Sequence, residues 1–237
     1  YESKIPINIY TSSSFEVTKN LYVLESNNRL ANYLNTKGVS FDSYSNQTDG
    51  KGLVIVGQLN DKSDNFISKL EKVKEFTRSG GNALYLDYKG KYIVDRKARK
   101  LPEKQLSDKF PIGMAIINTN GLWQSTIHML KDHPVFQGIS NNDHMDEVFE
   151  KVGPTKSFFM PEGEIIAGVI STDRYPNQDN MQRHFIGVGD VWYASDLSEI
   201  KFGDGLLVPT TLNILNQLGK DPVADKLLFN MINYYGK

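Results

Sequence analysis

The sequence predicts an α/β fold: a doubly wound, mostly parallel sheet with helices on both faces and a more irregular second half. Three observations predict it. Residues 53–57 (L-V-I-V-G) form a continuous apolar run, as expected of a strand covered on both faces. A helical pattern follows, with Phe66, Ile67, Leu70, Val73 and Thr77 on one face at spacings of three and four. A second buried strand, residues 82–86, comes directly after Gly80-Gly81. Strand and helix in alternation imply parallel pairing, since a crossover helix returns the chain to start the next strand in the same direction.

The elements follow in order. Residues 5–10 (I-P-I-N-I-Y) read as a short β-branched strand, followed by the polar stretch 11–14. Asn27 or Asn28 can cap a helix carrying Leu30, Ala31 and Leu34, which Gly38 terminates. Residues 39–44 alternate like a half-buried strand. Ser63 or Asp64 is the N-cap of the next helix, and Gly80-Gly81 ends it. In the second half, residues 112–118, 164–171 and 185–193 read as strands among Pro-, Gly- and Asn-rich loops, notably 173–180. At the end Asp221 caps a helix and Pro222 takes its first position. Val223, Ala224, Leu227, Leu228, Met231, Ile232 and Tyr235 form its apolar stripe.

Composition limits the function classes. At 237 residues the chain fits one large domain with a substantial core. Its net charge of −1 supplies no field favouring nucleic acid or an anionic membrane. The basic run Arg96-Lys97-Ala98-Arg99-Lys100 is flanked by Asp95 and Glu103 and reads as a solvated segment. No apolar run reaches the length of a membrane-spanning helix. The absence of cysteine excludes disulfides, thiolate metal sites and cysteine nucleophiles. An opening at Tyr1 rather than Met suggests a processed form or an excised piece of a longer chain.

Open parallel sheets bind ligands at the carboxyl ends of their strands. The loops at 11–14, 57–60 and 87–90 belong there, and they offer Ser12, Gln58, Asp87 and Tyr88 as candidate contacts. A hydroxyl, an amide, a carboxylate and an aromatic face suit a sugar or another polar ligand. Polar residues are also the default for any solvent-facing turn. A serine hydrolase needs a G-x-S-x-G elbow, and none occurs; Ser79 precedes its strand, and Ser125 lacks flanking glycines. His184 and Asp190 can in principle complete a triad, but nothing in the sequence pairs them with a particular serine. His144, Asp146 and Glu147 can offer metal ligands, but H-E-x-x-H is absent and their spacing matches no metal motif. No glycine-rich phosphate cradle is present, so no nucleotide cofactor is expected, and no metal either. Trp123 and Trp192 can stack on sugars, though such aromatics more often pack.

Taken in order, L-V-I-V-G, the helix, G-G-N-A-L-Y-L-D and D-H-P-V-F-Q-G-I resemble the class I glutamine amidotransferase-like superfamily. The likeness is closest to its non-amidotransferase branches, including accessory domains of bacterial β-galactosidase-type glycoside hydrolases. I-K-F-G-D-G-L-L-V-P-T-T-L and D-P-V-A-D-K-L-L-F-N-M-I-N-Y are similar to the closing pattern of such domains. The resemblance is patchy across residues 88–130 and 172–195. It implies a flavodoxin-like α/β domain spanning 1–237 within a longer polypeptide. It also implies an extracytoplasmic setting, neighbouring domains of the same chain, carbohydrate as a ligand, and homo-oligomer formation. True amidotransferases carry a cysteine in the turn that here begins Asp87-Tyr88, with a downstream histidine and glutamate. No cysteine stands here, and no His-x-Glu surrounds His184, so glutaminase activity is not carried over. The resemblance instead implies a non-catalytic accessory domain for assembly or sugar contact, with Ser12, Gln58, Asp87, Tyr88 and His133 as candidate ligand contacts. Two alternatives stand beside it. One is a hydrolase with a non-cysteine site near Asp87, His133, His144 or Asp146, which requires those side chains to converge. The other is an independent carbohydrate-binding module.

Overall fold

Strands that are apolar on both faces need cover on both, and the chain supplies it from helices on opposite sides. A computed structural model describes residues 20–59, 63–88, 91–92, 115–118, 127–139, 143–159, 161–171 and 192–237. β1 (Leu21–Leu24), β2 (Asp42–Ser43), β3 (Leu53–Val56) and β4 (Asn82–Tyr85) pair in parallel in the order β2-β1-β3-β4. Helices α1 (Arg29–Thr36) and α2 (Asp64–Arg78) connect them. Successive side chains of a strand point to opposite faces. Leu21, Val23, Leu53, Ile55 and Leu84 therefore pack on the α1 side with Leu30 and Leu34. Tyr22, Leu24, Val54, Val56, Ala83 and Tyr85 pack on the α2 side with Phe66, Leu70, Val73 and Phe76. Burying each of the Val, Leu, Ile and Phe side chains among them contributes about 1.5–3 kcal/mol.

The sheet then changes character. β5 (Lys91–Tyr92), β6 (Ala115–Asn118), β7 (Met129–Leu130), β8 (Lys156–Phe159) and β9 (Glu164–Ser171) lead to β10 (Trp192–Phe202) and β11 (Gly205–Pro209). Short 3-10 turns occur at Pro134–Phe136 and Glu147–Phe149. The path runs β2-β1-β3-β4-β11-β10-β8-β6-β5, with β9 branching from β10 and β7 from β9. β11 is parallel to β4, but β10 is antiparallel to β11, β8 and β9. Only Gly203 and Asp204 separate β10 from β11, and a two-residue turn can join only antiparallel strands. Gly203 adopts φ +66, which suits such a turn. Among the described ladders five are parallel and five antiparallel, so the expected mostly parallel sheet is corrected to a mixed one. It is parallel in the first half and largely antiparallel later, where β5 and β6 still pair in parallel and β11 lies parallel to β4.

Two helices close the chain, α3 (Ile214–Gln217) and α4 (Pro222–Tyr235). Asp221 caps α4 by accepting from the Val223 and Ala224 N–H groups, and the expected stripe from Val223 to Tyr235 is buried on the α1 side of the sheet. Ser63 caps α2 through the Phe66 N–H, as expected. β1 was not among the expected strands, and β2 is shorter than the strand expected at 39–44. Of the strand expected at 185–193, only Trp192 and Tyr193 are described, and they open an 11-residue strand. The strand expected at 5–10 and the loop at 173–180 lie outside the described residues. None of the described helices is long and apolar enough to cross a membrane.

Candidate functional site

The carboxyl ends of β1, β3, β4 and β11 bring together the segments after Leu24, Val56, Tyr85 and Pro209. Their polar groups are bonded mainly to one another. Glu25 accepts from the Leu30 and Ala31 N–H groups at 2.9 and 2.8 Å. Its carboxylate therefore occupies the positive N-terminus of α1, where an anionic ligand would otherwise dock. Asn28, expected as a cap, holds the N-cap position in a left-handed conformation (φ 38), but its side chain makes no capping bond. Gln58 is bonded on both its main chain and its side chain. Its carbonyl accepts from the Ser26 N–H at 2.9 Å and the Ser26 hydroxyl at 2.7 Å, and its Oε1 accepts from Asn27.

The turn after β4 is similarly committed. Asp87 Oδ2 accepts from the Leu59 N–H at 2.9 Å, tying the β4 turn to the β3 turn. Tyr88 is 8% exposed and packs edge-on against Tyr85 and Phe158. Burial pushes the Tyr85 hydroxyl pKa well above its ordinary value, with Tyr88 and Tyr44 adding to the effect. Tyr88 is thus a packing residue between β4 and β8. Ser12 lies outside the described residues.

His133 is elsewhere. Its Nε2 lies 3.2 Å from Glu199 Oε1, which also accepts from the Tyr235 hydroxyl at 2.8 Å. The Tyr235 carbonyl accepts from Asn82, the first residue of β4. His133 therefore sits beside β10 and the end of α4, whereas Asp87 lies in the turn beyond the carboxyl end of β4. The loops expected together at 57–60 and 87–90 do adjoin through Asp87 and Leu59, whereas His133 contacts Glu199 and Tyr234 instead. His133 Nδ1 accepts from the Val135 N–H at 3.3 Å, which places the imidazole proton on Nε2, facing Glu199. Burial lowers the His133 pKa, against the opposing pull of Glu199 and Glu164 and with a smaller push from Lys131. Asp146 caps the second 3-10 turn through the Val148 N–H at 3.0 Å, and His144 forms a bridge with Met129. Among the described residues no group of three or more His, Asp or Glu side chains could hold a metal ion.

A polar cluster that sequence reasoning passed over lies at the carboxyl end of β11. Asp196 is fully buried in β10, where the register with β9 shifts between Ser195 and Leu197. Such a bulge re-aims the side chain. Asp196 Oδ2 lies 2.6 Å from His128 Nδ1, and Oδ1 accepts from the Ser157 hydroxyl at 2.5 Å. The Asp196 carbonyl accepts from the Thr210 hydroxyl and the Thr211 N–H, both at 2.8 Å. Serine, histidine and aspartate all stand here, yet in the wrong sequence for acyl transfer. A triad serine donates to the histidine, which can then take its proton. Here Ser157 donates to Asp196 instead. The cluster cross-links β8, β10, the segment before β7 and the segment after β11.

The described residues thus form an α/β protein of mixed sheet topology whose strand-end groups are largely bonded internally. No family model matches the chain, and no curated protein matches it.

Proposed function

We propose that this chain is a non-catalytic, amidotransferase-like accessory module of a carbohydrate-active protein, serving assembly or sugar contact on a flavodoxin-like scaffold. The observation that carries the reading is the commitment of the turn after β4. Asp87 is held on the Leu59 N–H and Tyr88 is wedged between Tyr85 and Phe158, so the described residues of the turn are engaged within the fold. The strand order β2-β1-β3-β4-β11, parallel throughout, supports the scaffold part of the reading.

The test has two arms. The purified chain is assayed with L-glutamine, aryl glycosides and aryl esters, and its rates are expected to equal those of Asp87→Asn and His128→Gln. Turnover abolished by either substitution would overturn the non-catalytic reading. In the second arm, light scattering reads self-association and calorimetry reads binding of oligosaccharides. A monomer that releases no heat with millimolar sugar would leave neither role standing.

A further inference from the structure

A pocket of about 190 Å³ opens at the carboxyl end of β1. β1 leads through α1 to β2 on one side, while β3 lies on its other side. Where the chain reverses its direction of travel across a sheet, flanking helices leave from opposite faces and a crevice opens between them. The pocket occupies that position. Asn28 and Ala31 line it from the start of α1, and Asn65, Phe66 and Lys69 line it from the start of α2.

Size, charge and hydrogen-bonding capacity limit what the pocket can hold. It is smaller than the ~300–1,000 Å³ of sites for drug-sized ligands, so it suits a single ring. Glu25 and Lys69 contribute opposite formal charges and leave the lining neutral overall. The Glu25 carboxylate already fills the α1 N-terminus and repels a second anion there. The Asn28 and Asn65 amides and the Ser43 hydroxyl each offer a donor and an acceptor side by side. Adjacent hydroxyl groups of a ring present the matching pattern. Phe41, Tyr44 and Phe66 also line the pocket and give it apolar surface beside these polar groups.

We infer that this pocket binds a neutral, single-ring polyol of the monosaccharide class. The inference rests on the sugar-contact part of the proposed function. It moves that contact away from Gln58, Asp87 and His133, whose side chains are bonded within the fold, to Asn28, Ser43, Asn65 and Lys69.

Isotope-labelled protein titrated with glucose, galactose, mannose and N-acetylglucosamine tests it by NMR, with inorganic phosphate and glycine as charged controls. At least one sugar is expected to shift the Asn28 and Asn65 side-chain amide resonances saturably. Asn65→Ala and Lys69→Ala, checked for native dispersion, are each expected to weaken that binding about tenfold. Three results would overturn the assignment: no sugar moving those resonances, a charged control alone moving them, or binding that survives both substitutions. Turnover of glutamine or a glycoside would sink the non-catalytic reading and leave the pocket standing. A silent pocket in a chain that still self-associates would do the reverse.

Discussion

Asp196 gathers more of the fold than any nominated residue. Its side chain is fully buried and engages His128 and Ser157, while its carbonyl holds Thr210 and Thr211. Asp196→Ala leaves the His128 and Ser157 groups without their acceptor and is expected to cost about 3 kcal/mol, read by urea denaturation. Ser157→Ala removes one neutral donor and should cost about 1 kcal/mol in the same measurement. Nothing local marked Asp196, because its partners lie 68 and 39 positions away. Asp87 shows the converse. Residue type and loop position suggest a ligand contact, but the Leu59 N–H that occupies it is 28 positions distant. His133 makes the molecule sensitive to acid. Burial holds its folded pKa below the ordinary 6.5, although Glu199 on β10 and Glu164 on β9 pull upward, with Lys131, Tyr234 and Tyr235 also nearby. The unfolded chain therefore binds the proton more readily, and stability present above about pH 6.5 declines as pH falls toward the folded value. The urea midpoint should fall between about pH 7 and about pH 5, less steeply in His133→Asn.

At the scale of elements, what was legible is what is encoded within a few residues. The caps of α2 and α4 lie two or three residues from the N–H groups they satisfy, so Ser63 and Asp221 could be read directly. Asp221→Ala should cost about 1 kcal/mol in thermal or chemical denaturation. The cap of α1 was misread for a specific reason. Asn28 occupies the usual position, but Glu25 reaches both N–H groups from outside the helix. Glu25→Ala should accordingly destabilise the chain by about 1–2 kcal/mol, whereas Asn28→Ala should leave it nearly unchanged. β1 was missed because Leu21–Leu24 is buried on both faces and so shows no alternation. β3 carries the same kind of run, and its position before a well-marked helix made it readable.

Across the whole molecule, β10 is the strand on which two kinds of sheet meet. Its far end pairs with β11 beside the parallel strands, and its near end pairs with β8 and β9. The parallel order was readable because helices intervene between its strands. The antiparallel half was not, because its strand partners are set by long-range pairing rather than by local pattern. β11 is inserted between β4 and β10, and the fit there is close. A Cβ on Gly205 would lie 2.0 Å from the Gly81 carbonyl oxygen. A chain truncated after Phe202 lacks β11, α3 and α4 and exposes one edge of β4 together with the apolar face that α4 covers. It is expected to be recovered in the insoluble fraction, while a chain ending after Tyr235 should stay soluble.

The late position of β11 also sets a timetable for synthesis. Strands β1 to β4 leave the ribosome long before their remaining neighbour exists, so β4 must wait, with one side unpaired, for more than half of the chain. The parallel half completes its sheet only once β11 has been made, and β11 then enters an edge already in place.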